Sequence, residues 1–463
     1  MVNNTYSERS AFQTIRKIWP GPWFLLPILC AGLILGSCDA FPGMVENPGP
    51  QQILSPQAPT ELPSSPTPGP EIDILSLTLL PGENPDSGQG IGRIINNGEV
   101  PLGDISVTLT YHGQDGGILD TVTTRSIPSS LLPGEEAIIA FEFSGPLIDA
   151  DTTSEIHATK VQRVQRAQGE VQEPTWNHNP QGDTVILGQI TNTGFSQAKL
   201  IDLTVLLLDE GHEPVGYATL VASTTHIPPG QSSTFSAAAN GSYEPDDLEF
   251  FVDMIVDKSP PEPDLRFQEL PTLQFTDQDV PFFLGSIQNP SQDWVWASGL
   301  INLESDGELV GIASIDPPLP VQPEGVLSFS IQHFWGLSPE ILSSEEAMRA
   351  LDIHSSVEGI SSLPADETVS QLMLSVSQYE AFDSLVFFHG EVTNGGNSPI
   401  HQPTVFVTAR NSTGLLYAAR WVTPVDSLAP GAGIEFELSL LLPGGADPAK
   451  LEFDVIAFGI HGG

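Results

Sequence analysis

Residues 188–194 read GQITNTG, and the pattern Gly-x-aliphatic-x-Asn within them occurs four times along the chain. The four copies are GRIINNG at 92–98, GQITNTG at 188–194, GSIQNPS at 285–291 and GEVTNGG at 390–396. They recur about every 100 residues, which is too long for a solenoid repeat that depends on its neighbours and matches one complete β-sandwich. The 463-residue chain is therefore expected to contain four such domains.

A second landmark, a Pro-Gly turn, follows each copy at a nearly constant distance. These turns are Pro133-Gly134, Pro229-Gly230, the degenerate Pro323-Glu324-Gly325 and Pro430-Gly431. Short apolar segments such as 203–208 (LTVLLL) lie between the landmarks and end in turn residues, which is typical of strands. We predict an all-β protein of four tandem immunoglobulin-like β-sandwiches, at 72–168, 169–260, 261–360 and 361–463, of which the third is the most divergent.

One short helix is expected in the third domain, near residues 343–351. Ser343 and Glu346 have the spacing of a capping box and precede Ala347, Met348 and Leu351. The helix is expected to be one or two turns long inside a β protein.

The charge of the chain is set by a shortage of basic residues. There are 15 Lys and Arg against 58 Asp and Glu, which gives a formal net charge of −43. Acidic residues are present at an ordinary level, so the shortage of bases is what argues against a nucleic-acid-binding surface or a patch that binds anionic lipid. No nucleic-acid partner is expected.

The sequence carries no motif of a known catalytic or cofactor site. No lysine follows a glycine, no Gly-x-Ser-x-Gly occurs, and the ten histidines include no His-x3-His pair. We therefore expect no enzyme, no cofactor and no metal. Acidic turns such as Asp246-Asp247 leave a calcium role open, although plain turn chemistry is the commoner use of such residues.

The N-terminal residues have the features of a secretory signal. An apolar run at 23–35 (WFLLPILCAGLIL) follows a basic segment and ends in Leu35-Gly36-Ser37-Cys38. This sequence resembles the lipobox of bacterial lipoproteins, which implies a signal peptide at 1–37 and lipidation of Cys38. An uncleaved anchor in which Cys38 is a buried thiol is the alternative. Cys30 would leave with the signal peptide, so no disulfide is expected.

A proline-rich segment separates the N-terminus from the repeats. Residues 39–70 contain nine prolines and no Lys or Arg, a composition that favours extended polyproline II structure over a packed core. We predict a disordered tether at 38–71.

The repeat unit resembles the FxLYD family of bacterial envelope modules. The matching residues are 206–211 (LLLDEG) and, less closely, 107–111 (VTLTY), where His112 stands in place of the family's Asp. The resemblance implies an immunoglobulin-like sandwich in a bacterial envelope setting and no catalytic residues. Together with the lipobox, it predicts a lipid-anchored protein on the extracytoplasmic face of the bacterial cell membrane.

Trp294 and Trp296 are the candidate partner-binding residues. Residues i and i+2 of a strand share one face, so the two indoles could form a flat platform for a sugar or a protein. The alternative, which we favour, is that one Trp belongs to the sandwich core and the other covers a loop. Phe334-Trp335 would add to the platform if it converged there.

The predicted function is that of a non-catalytic interaction or spacer module. Its expected partners are the membrane, through the lipid anchor, and an envelope protein or glycan; the sequence leaves the oligomeric state open. A passive stalk remains an alternative, as does a carbohydrate-binding or hydrolase-accessory protein with a site in the third domain. The basic cluster Lys160, Arg163 and Arg166 is expected to be solvated or to pair with acidic groups that set the angle between domains.

Overall fold

The computed structural model describes residues 72–81, 87–112, 117–144, 151–258, 263–364, 366–382 and 384–462. The predicted signal peptide, the lipobox residues Leu35, Gly36, Ser37 and Cys38, and the predicted tether lie outside these ranges. Within them the protein is nearly all β, with antiparallel sheets arranged as tandem β-sandwiches, as the repeats predict. The four sandwiches belong to one compact unit.

The first sandwich has its strands in the order β1-β2-β5-β4-β3-β6, and β4 joins the two layers because it pairs with both β3 and β5. Ile94, Val107 and Ile139 are among the fully buried residues of its core. The strands are β1 (Ile72–Pro81), β2 (Ser87–Asn96), β3 (Leu102–His112), β4 (Ile118–Ile127), β5 (Glu136–Ser144) and β6 (Asp151–Lys160).

The second sandwich has the order β11-β9-β10-β12-β8-β7, with β13 paired to β9. Ile190, Leu203 and Phe235 are fully buried in its core. The strands are β7 (Gly169–His178), β8 (Thr184–Asn192), β9 (Ala198–Leu208), β10 (Pro214–Ser223), β11 (His226–Ile227), β12 (Ser232–Ala238) and β13 (Asp247–Val256).

The third sandwich consists of the sheets β14-β15-β18 and β17-β16-β19, and it carries two short helices between β18 and β19. The predicted domain limit at residue 360 lies inside β19, whose pairing with β16 continues to Ser362. The elements are β14 (Arg266–Phe275), β15 (Pro281–Gln288), β16 (Val295–Ser305), β17 (Glu308–Ile315), β18 (Val326–Ile331), α1 (Pro339–Leu342), α2 (Glu345–Arg349) and β19 (Asp352–Ser362).

The fourth sandwich consists of the sheets β20-β27-β23-β24 and β21-β22-β26, with β25 paired to β23. A single 3-10 turn, Pro448–Lys450, precedes its last strand. The strands are β20 (Thr368–Gln371), β21 (Met373–Phe382), β22 (Leu385–Thr393), β23 (Ile400–Asn411), β24 (Leu416–Val422), β25 (Ser427–Leu428), β26 (Gly433–Leu441) and β27 (Leu451–His461).

The predicted helix is present, but its cap differs from the prediction. Ser344, not Ser343, is the N-cap of α2, and its side chain accepts a hydrogen bond from the backbone N–H of Ala347. Ser343 instead ends α1, a helix that the sequence did not indicate. The two adjacent serines offer the same capping chemistry, so spacing alone selects the wrong one.

The repeated asparagine joins the same two segments in every sandwich, namely the loop that follows it and the segment that precedes the Pro-Gly turn. Each copy is fully buried, and its side-chain amide donates to two backbone carbonyls while its Oδ1 accepts from the backbone N–H two residues later. For Asn192 the acceptors are the carbonyls of Ser196 and Ile227, both at 2.8 Å, and the donor is Gly194 N–H. The four copies are Asn96, Asn192, Asn289 and Asn394.

The Pro-Gly turn keeps its distance from this asparagine because the two are hydrogen bonded. Gly134, Gly230 and Gly431 have positive φ and each donates its N–H to the carbonyl of the repeated asparagine. In the third sandwich Glu324 takes the left-handed position with a φ of 53°, and its N–H donates to the carbonyl of Ser291 instead. The degenerate turn therefore has the same backbone shape with a residue that is strained there.

The repeated glycine makes room for a large side chain from the paired strand. A Cβ on Gly188 would lie 2.8 Å from the ring of Phe235, its cross-strand partner. Gly285 and Gly390 stand in the same relation to Phe329 and Phe436. Only glycine allows these rings to lie flat on the neighbouring strand.

Candidate binding cleft between the third and fourth sandwiches

Consecutive sandwiches pack through the outer faces of their sheets. The residue immediately before each of the first three repeated glycines is buried on such a face and contacts the next sandwich. These contacts are Ile91 with Leu206, Leu208 and Tyr217; Leu187 with Leu300 and Ile312; and Leu284 with Leu416 and Ala419. Apolar outer faces thus join the repeats in order along the chain.

The two end faces of this array carry polar residues at positions where the inner faces are apolar. On the first sandwich, the outer face of β3 and β4 carries a threonine ladder, in which Thr108 and Thr123 are hydrogen bonded at 2.9 Å and Thr121 bonds to Thr110. On the fourth, the residue before the repeated glycine is His389, which lies 4.0 Å from Glu437. Polar residues on the terminal faces are typical of stacked repeats.

Trp294 and Trp296 both lie at the boundary between the third and fourth sandwiches. Val295, between them, is fully buried in the core of the third sandwich. Trp296 packs with Phe406 and Ile460 of the fourth, and Trp294 lines an adjacent cavity. Neither indole is in the sandwich core, so the favoured alternative of one core tryptophan is wrong.

Phe334 and Trp335 do not join this pair. Phe334 is buried in the core of the third sandwich, where its ring packs near that of Phe283. Trp335 faces the second sandwich instead and packs in the cluster that contains Val185 and Leu187. The two aromatic dipeptides therefore serve different interfaces.

The cavity beside Trp294 has a volume of about 200 Å³. The third sandwich contributes Trp294, residues 319–322 and residues 326–328 to its wall, and the fourth contributes residues from β20, β23, β24 and β27. Leu319, Phe406, Ile456 and Phe458 make much of this wall apolar. Its charged residues are Arg410, Arg420 and Asp454.

The two arginines of the cavity have no carboxylate partner among the described residues. Arg410 donates to Ser328 Oγ at 3.1 Å and to the carbonyl of Gly414 at 2.9 Å. Arg420 donates to Ser439 Oγ at 3.5 Å, and burial lowers the pKa of its guanidinium below the usual value. Arg420 is paired with Val407, which is buried in the core of the fourth sandwich, so its side chain lies on the face of the sheet opposite to that of Arg410.

Other partly buried arginines do have carboxylate partners. Arg93 of the first sandwich forms a two-pronged ion pair with Glu249 of the second, with 3.1 Å between Nη1 and Oε1. Arg166, whose backbone bridges to Ile255 of the second sandwich, pairs with Glu135 at 3.1 Å, so this member of the basic cluster follows the pairing alternative and is not simply solvated. Among the described residues, Arg349 and Lys450 also have a carboxylate oxygen within 4.0 Å, at Glu345 and Asp447.

The acidic turns serve the backbone. Asp209 Oδ1 accepts hydrogen bonds from the backbone N–H groups of Gly211 and Glu213, which closes the hairpin between β9 and β10. In the part of the chain that the structure describes, no cluster of three or more His, Cys, Asp or Glu residues could hold a metal ion. Across those same residues, no helix has the length and apolar character needed to cross a membrane.

Comparison with known proteins gives no family assignment. No protein-family model matches the chain, and no curated protein matches it. Among solved structures, one match is Escherichia coli alpha-2-macroglobulin activated by porcine elastase, at 9% sequence identity and a TM-score of 0.13. That alignment covers 83% of this chain and 53% of the macroglobulin chain, so this chain spans about half the length of the other. A TM-score this low supports no argument about fold or function.

Proposed function

We propose that this protein is a lipid-anchored, extracytoplasmic component of the bacterial cell envelope that acts as a non-catalytic binding module. The lipobox residues Leu35 to Cys38 and the resemblance of the repeats to FxLYD modules support the anchoring and the setting. The four β-sandwiches, typical of surface modules that bind through loops and sheet faces, support the binding role.

The observation that carries the binding role is the cavity between the third and fourth sandwiches. It combines the indole of Trp294, an apolar wall and the polar side chains of Arg410 and Asp454, and concave apolar sites with a few polar groups are the usual form of a ligand site. The described lining of this cavity contains no His, Cys or Lys, and we propose binding without chemistry.

The anchor can be tested with the two cysteines of the chain. Cells that express the protein would be fed an alkyne-bearing palmitate, and label on the protein would be measured for the parent, Cys38→Ser and Cys30→Ser. We expect label on the parent and on Cys30→Ser and none on Cys38→Ser, which should also appear in the soluble fraction. Label retained by Cys38→Ser would refute the proposed anchor.

The binding role can be tested with two tryptophans. Purified envelope glycan and envelope protein fractions would be tested for saturable binding to the parent, to Trp294→Ala and to Trp176→Ala, whose ring is 38% exposed on the second sandwich. Loss of binding in Trp294→Ala alone would support the cleft, and the fraction that binds would separate the glycan alternative from a protein partner. Equal binding by all three would place the site elsewhere.

A spacer role is the second candidate, and the apolar interfaces between sandwiches favour it. Contacts such as that of Leu187 with Leu300 restrict each sandwich against the next, which suits a module that holds a fixed length. Absence of saturable binding by the parent protein would favour this candidate.

A further inference from the structure

A second cavity lies where the first three sandwiches meet, and we call it the junction cavity. Its volume of about 330 Å³ is at the lower end of the ~300 to 1,000 Å³ that is usual for small-molecule sites. The first sandwich lines it with Gln89 and Glu142, which are cross-strand partners on β2 and β5. The second sandwich contributes residues of β10, β12 and the neighbouring loops, and the third contributes His333 and Trp335.

Two of the lining side chains are buried without a hydrogen-bond partner among the described residues. The side-chain amide of Gln89, a residue that is only 6% exposed, forms no hydrogen bond there. The hydroxyl of Tyr217, a buried residue of β10, has no such partner either. Burial, with a smaller contribution from Glu142, raises the pKa of this hydroxyl, so it keeps its proton and can donate. Proteins rarely leave buried polar groups unpaired, and a ligand in the cavity would complete both of these.

The carboxylates of the junction cavity are fixed in place by the chain itself. Glu142 Oε1 accepts a hydrogen bond from Asn240 Nδ2 at 2.6 Å. Asp183 accepts from Asn179 Nδ2 and from the backbone N–H of Gly241, both at 3.2 Å. A carboxylate has about four lone-pair sites, so each of these two can accept further hydrogen bonds from a ligand.

The charge of the lining restricts the ligand. Among the described residues two carboxylates and no lysine or arginine line the cavity, so an anion would be repelled. A cation is not needed to balance Glu142 and Asp183, because both already accept hydrogen bonds, whereas the groups without a partner, on Gln89 and Tyr217, are neutral. These observations favour a neutral ligand that both donates and accepts hydrogen bonds.

The aromatic surface of the cavity points to the shape of such a ligand. The ring of Trp335 is half-buried, with its inner side in the cluster that contains Val185 and Leu187, and Tyr217 adds a second ring to the lining. A sugar ring carries hydroxyl groups around its edge and C–H groups on its faces, which suit polar side chains and aromatic rings respectively.

We propose that the junction cavity binds one neutral hexopyranose sugar, with Gln89 and Tyr217 hydrogen bonded to its hydroxyl groups and Trp335 against its ring. Glu142 and Asp183 accept hydrogen bonds from further hydroxyls. This inference goes beyond the proposed function, because it assigns a ligand to a separate cavity. It depends neither on the lipid anchor nor on the cleft between the third and fourth sandwiches.

The test is calorimetric titration of the full-length protein, in a detergent that contains no sugar, with D-glucose, D-galactose and D-mannose. Each hexose is compared with its uronate, which adds a carboxylate, and with its 2-amino derivative, which adds an ammonium group. We expect at least one hexose to bind saturably, with a dissociation constant of about 1 mM or less, and its uronate to bind at least tenfold more weakly.

Three results of this titration would overturn the proposal. They are no binding of any of the three hexoses up to about 10 mM, equal binding of a hexose and its uronate, and binding of an amino sugar more than tenfold tighter than that of its parent hexose. The last result would indicate a site for a cation.

Two variants assign the binding to the unpartnered groups. Gln89→Met, which keeps an unbranched side chain of similar length, and Tyr217→Phe, which removes only the hydroxyl, should each weaken binding of the hexose at least tenfold. Because each removes a polar group that has no described partner within the chain, neither should lower the melting temperature.

The matched control is Tyr111→Phe. The Tyr111 hydroxyl is also buried without a partner, but it lies in the core of the first sandwich, so its loss should leave hexose binding unchanged. Undiminished binding in both Gln89→Met and Tyr217→Phe would overturn the proposal. A lower melting temperature of both would also overturn it, because the two groups would then have partners within the chain. The palmitate-label result and the result for Trp294→Ala stand independently of these outcomes.

Discussion

The imidazole of His226, on the second sandwich, lies against the carboxylate of Glu358, on the third, with 3.3 Å between Nδ1 and Oε2. Its other nitrogen is 3.6 Å from Oδ2 of Asp257, and Glu358 also accepts hydrogen bonds from the backbone N–H groups of Thr225 and His226. Only 6% of the His226 side chain is exposed. A polar connection thus supplements the apolar contact between these two sandwiches.

We expect Glu358→Gln to destabilise the protein by about 1 to 3 kcal/mol, because it gives the two backbone N–H donors and the imidazole a weaker, neutral acceptor. The matched control is Glu304→Gln, whose partner His354 is 3.7 Å away and 64% exposed, and there the change should stay within about 0.5 kcal/mol. Denaturant unfolding of the three proteins measures both values. If both variants lost the same free energy of unfolding, the contact of Glu358 with the second sandwich would be no stronger than an ordinary surface pair.

Asp202 makes stability depend on pH. Burial, with a smaller contribution from the facing Asp253, raises the pKa of Asp202 to about 6. Because the folded protein binds this proton more tightly than the unfolded chain, the contribution of Asp202 to stability is greatest below about pH 4, falls between pH 4 and 6, and is constant above that range.

Asp202→Asn should therefore be more stable than the parent above pH 6, by up to about 2 to 3 kcal/mol, and similar to it at pH 4. The measurement is the free energy of unfolding from pH 4 to pH 8. A difference that does not change with pH would contradict the assignment to ionisation of Asp202.

The left-handed Glu324 is expected to be a point of strain. Glu324→Gly should stabilise the protein by about 0.5 to 1 kcal/mol, because the three other sandwiches have glycine at this turn and glycine adopts a positive φ without steric cost. Thermal unfolding gives the result. Gly134→Ala is the reverse control: its Cβ would meet nothing within 4 Å, so a loss of about 1 kcal/mol there would come from the backbone alone. A destabilised Glu324→Gly would show that its hydrogen bond from Gln292 outweighs the strain.

The buried asparagine should be one of the most sensitive positions in each sandwich. Asn96→Ala leaves the carbonyls of Val100 and Leu131 and the N–H of Gly98 without their partner, and we expect a loss of at least about 3 kcal/mol. Asn97→Ala, at the next residue, removes one exposed bond to Asp73 and should cost less than about 0.5 kcal/mol. Similar losses at both positions, measured by denaturant unfolding, would argue against the role assigned to Asn96.

The repeats could be predicted from the sequence because their landmarks are joined in space. Asn192 and Gly230 stay in register along the chain since the glycine donates its N–H to the asparagine carbonyl. The cross-strand phenylalanine is a further landmark at a nearly constant distance in the second, third and fourth sandwiches, where Phe235, Phe329 and Phe436 lie opposite the repeated glycine. The repeats were visible in the sequence because every sandwich uses the same contacts between the repeated Gly-x-aliphatic-x-Asn segment and the turn that follows it.

The cleft could not be predicted in the same way. Strand periodicity separates the two faces of a sheet, but it does not tell whether solvent or another domain covers the outer face. The sequence therefore predicts that Trp294 and Trp296 share a face, but not that this face lies against the fourth sandwich. Arg410 and Arg420 were missed. A signal for them exists in the sequence: the chain has only 15 basic residues, and two of these lie ten residues apart on the consecutive strands β23 and β24.

Because the chain emerges from its N-terminus, whether from a ribosome or from a secretory pore, the first sandwich can fold with its threonine ladder toward water and with the apolar face around Ile91 uncovered. Each sandwich that emerges next covers the apolar face before it and exposes one of its own, until the fourth presents His389 at that position. A nascent chain therefore exposes a single adhesive face at a time, which limits association between chains during their synthesis.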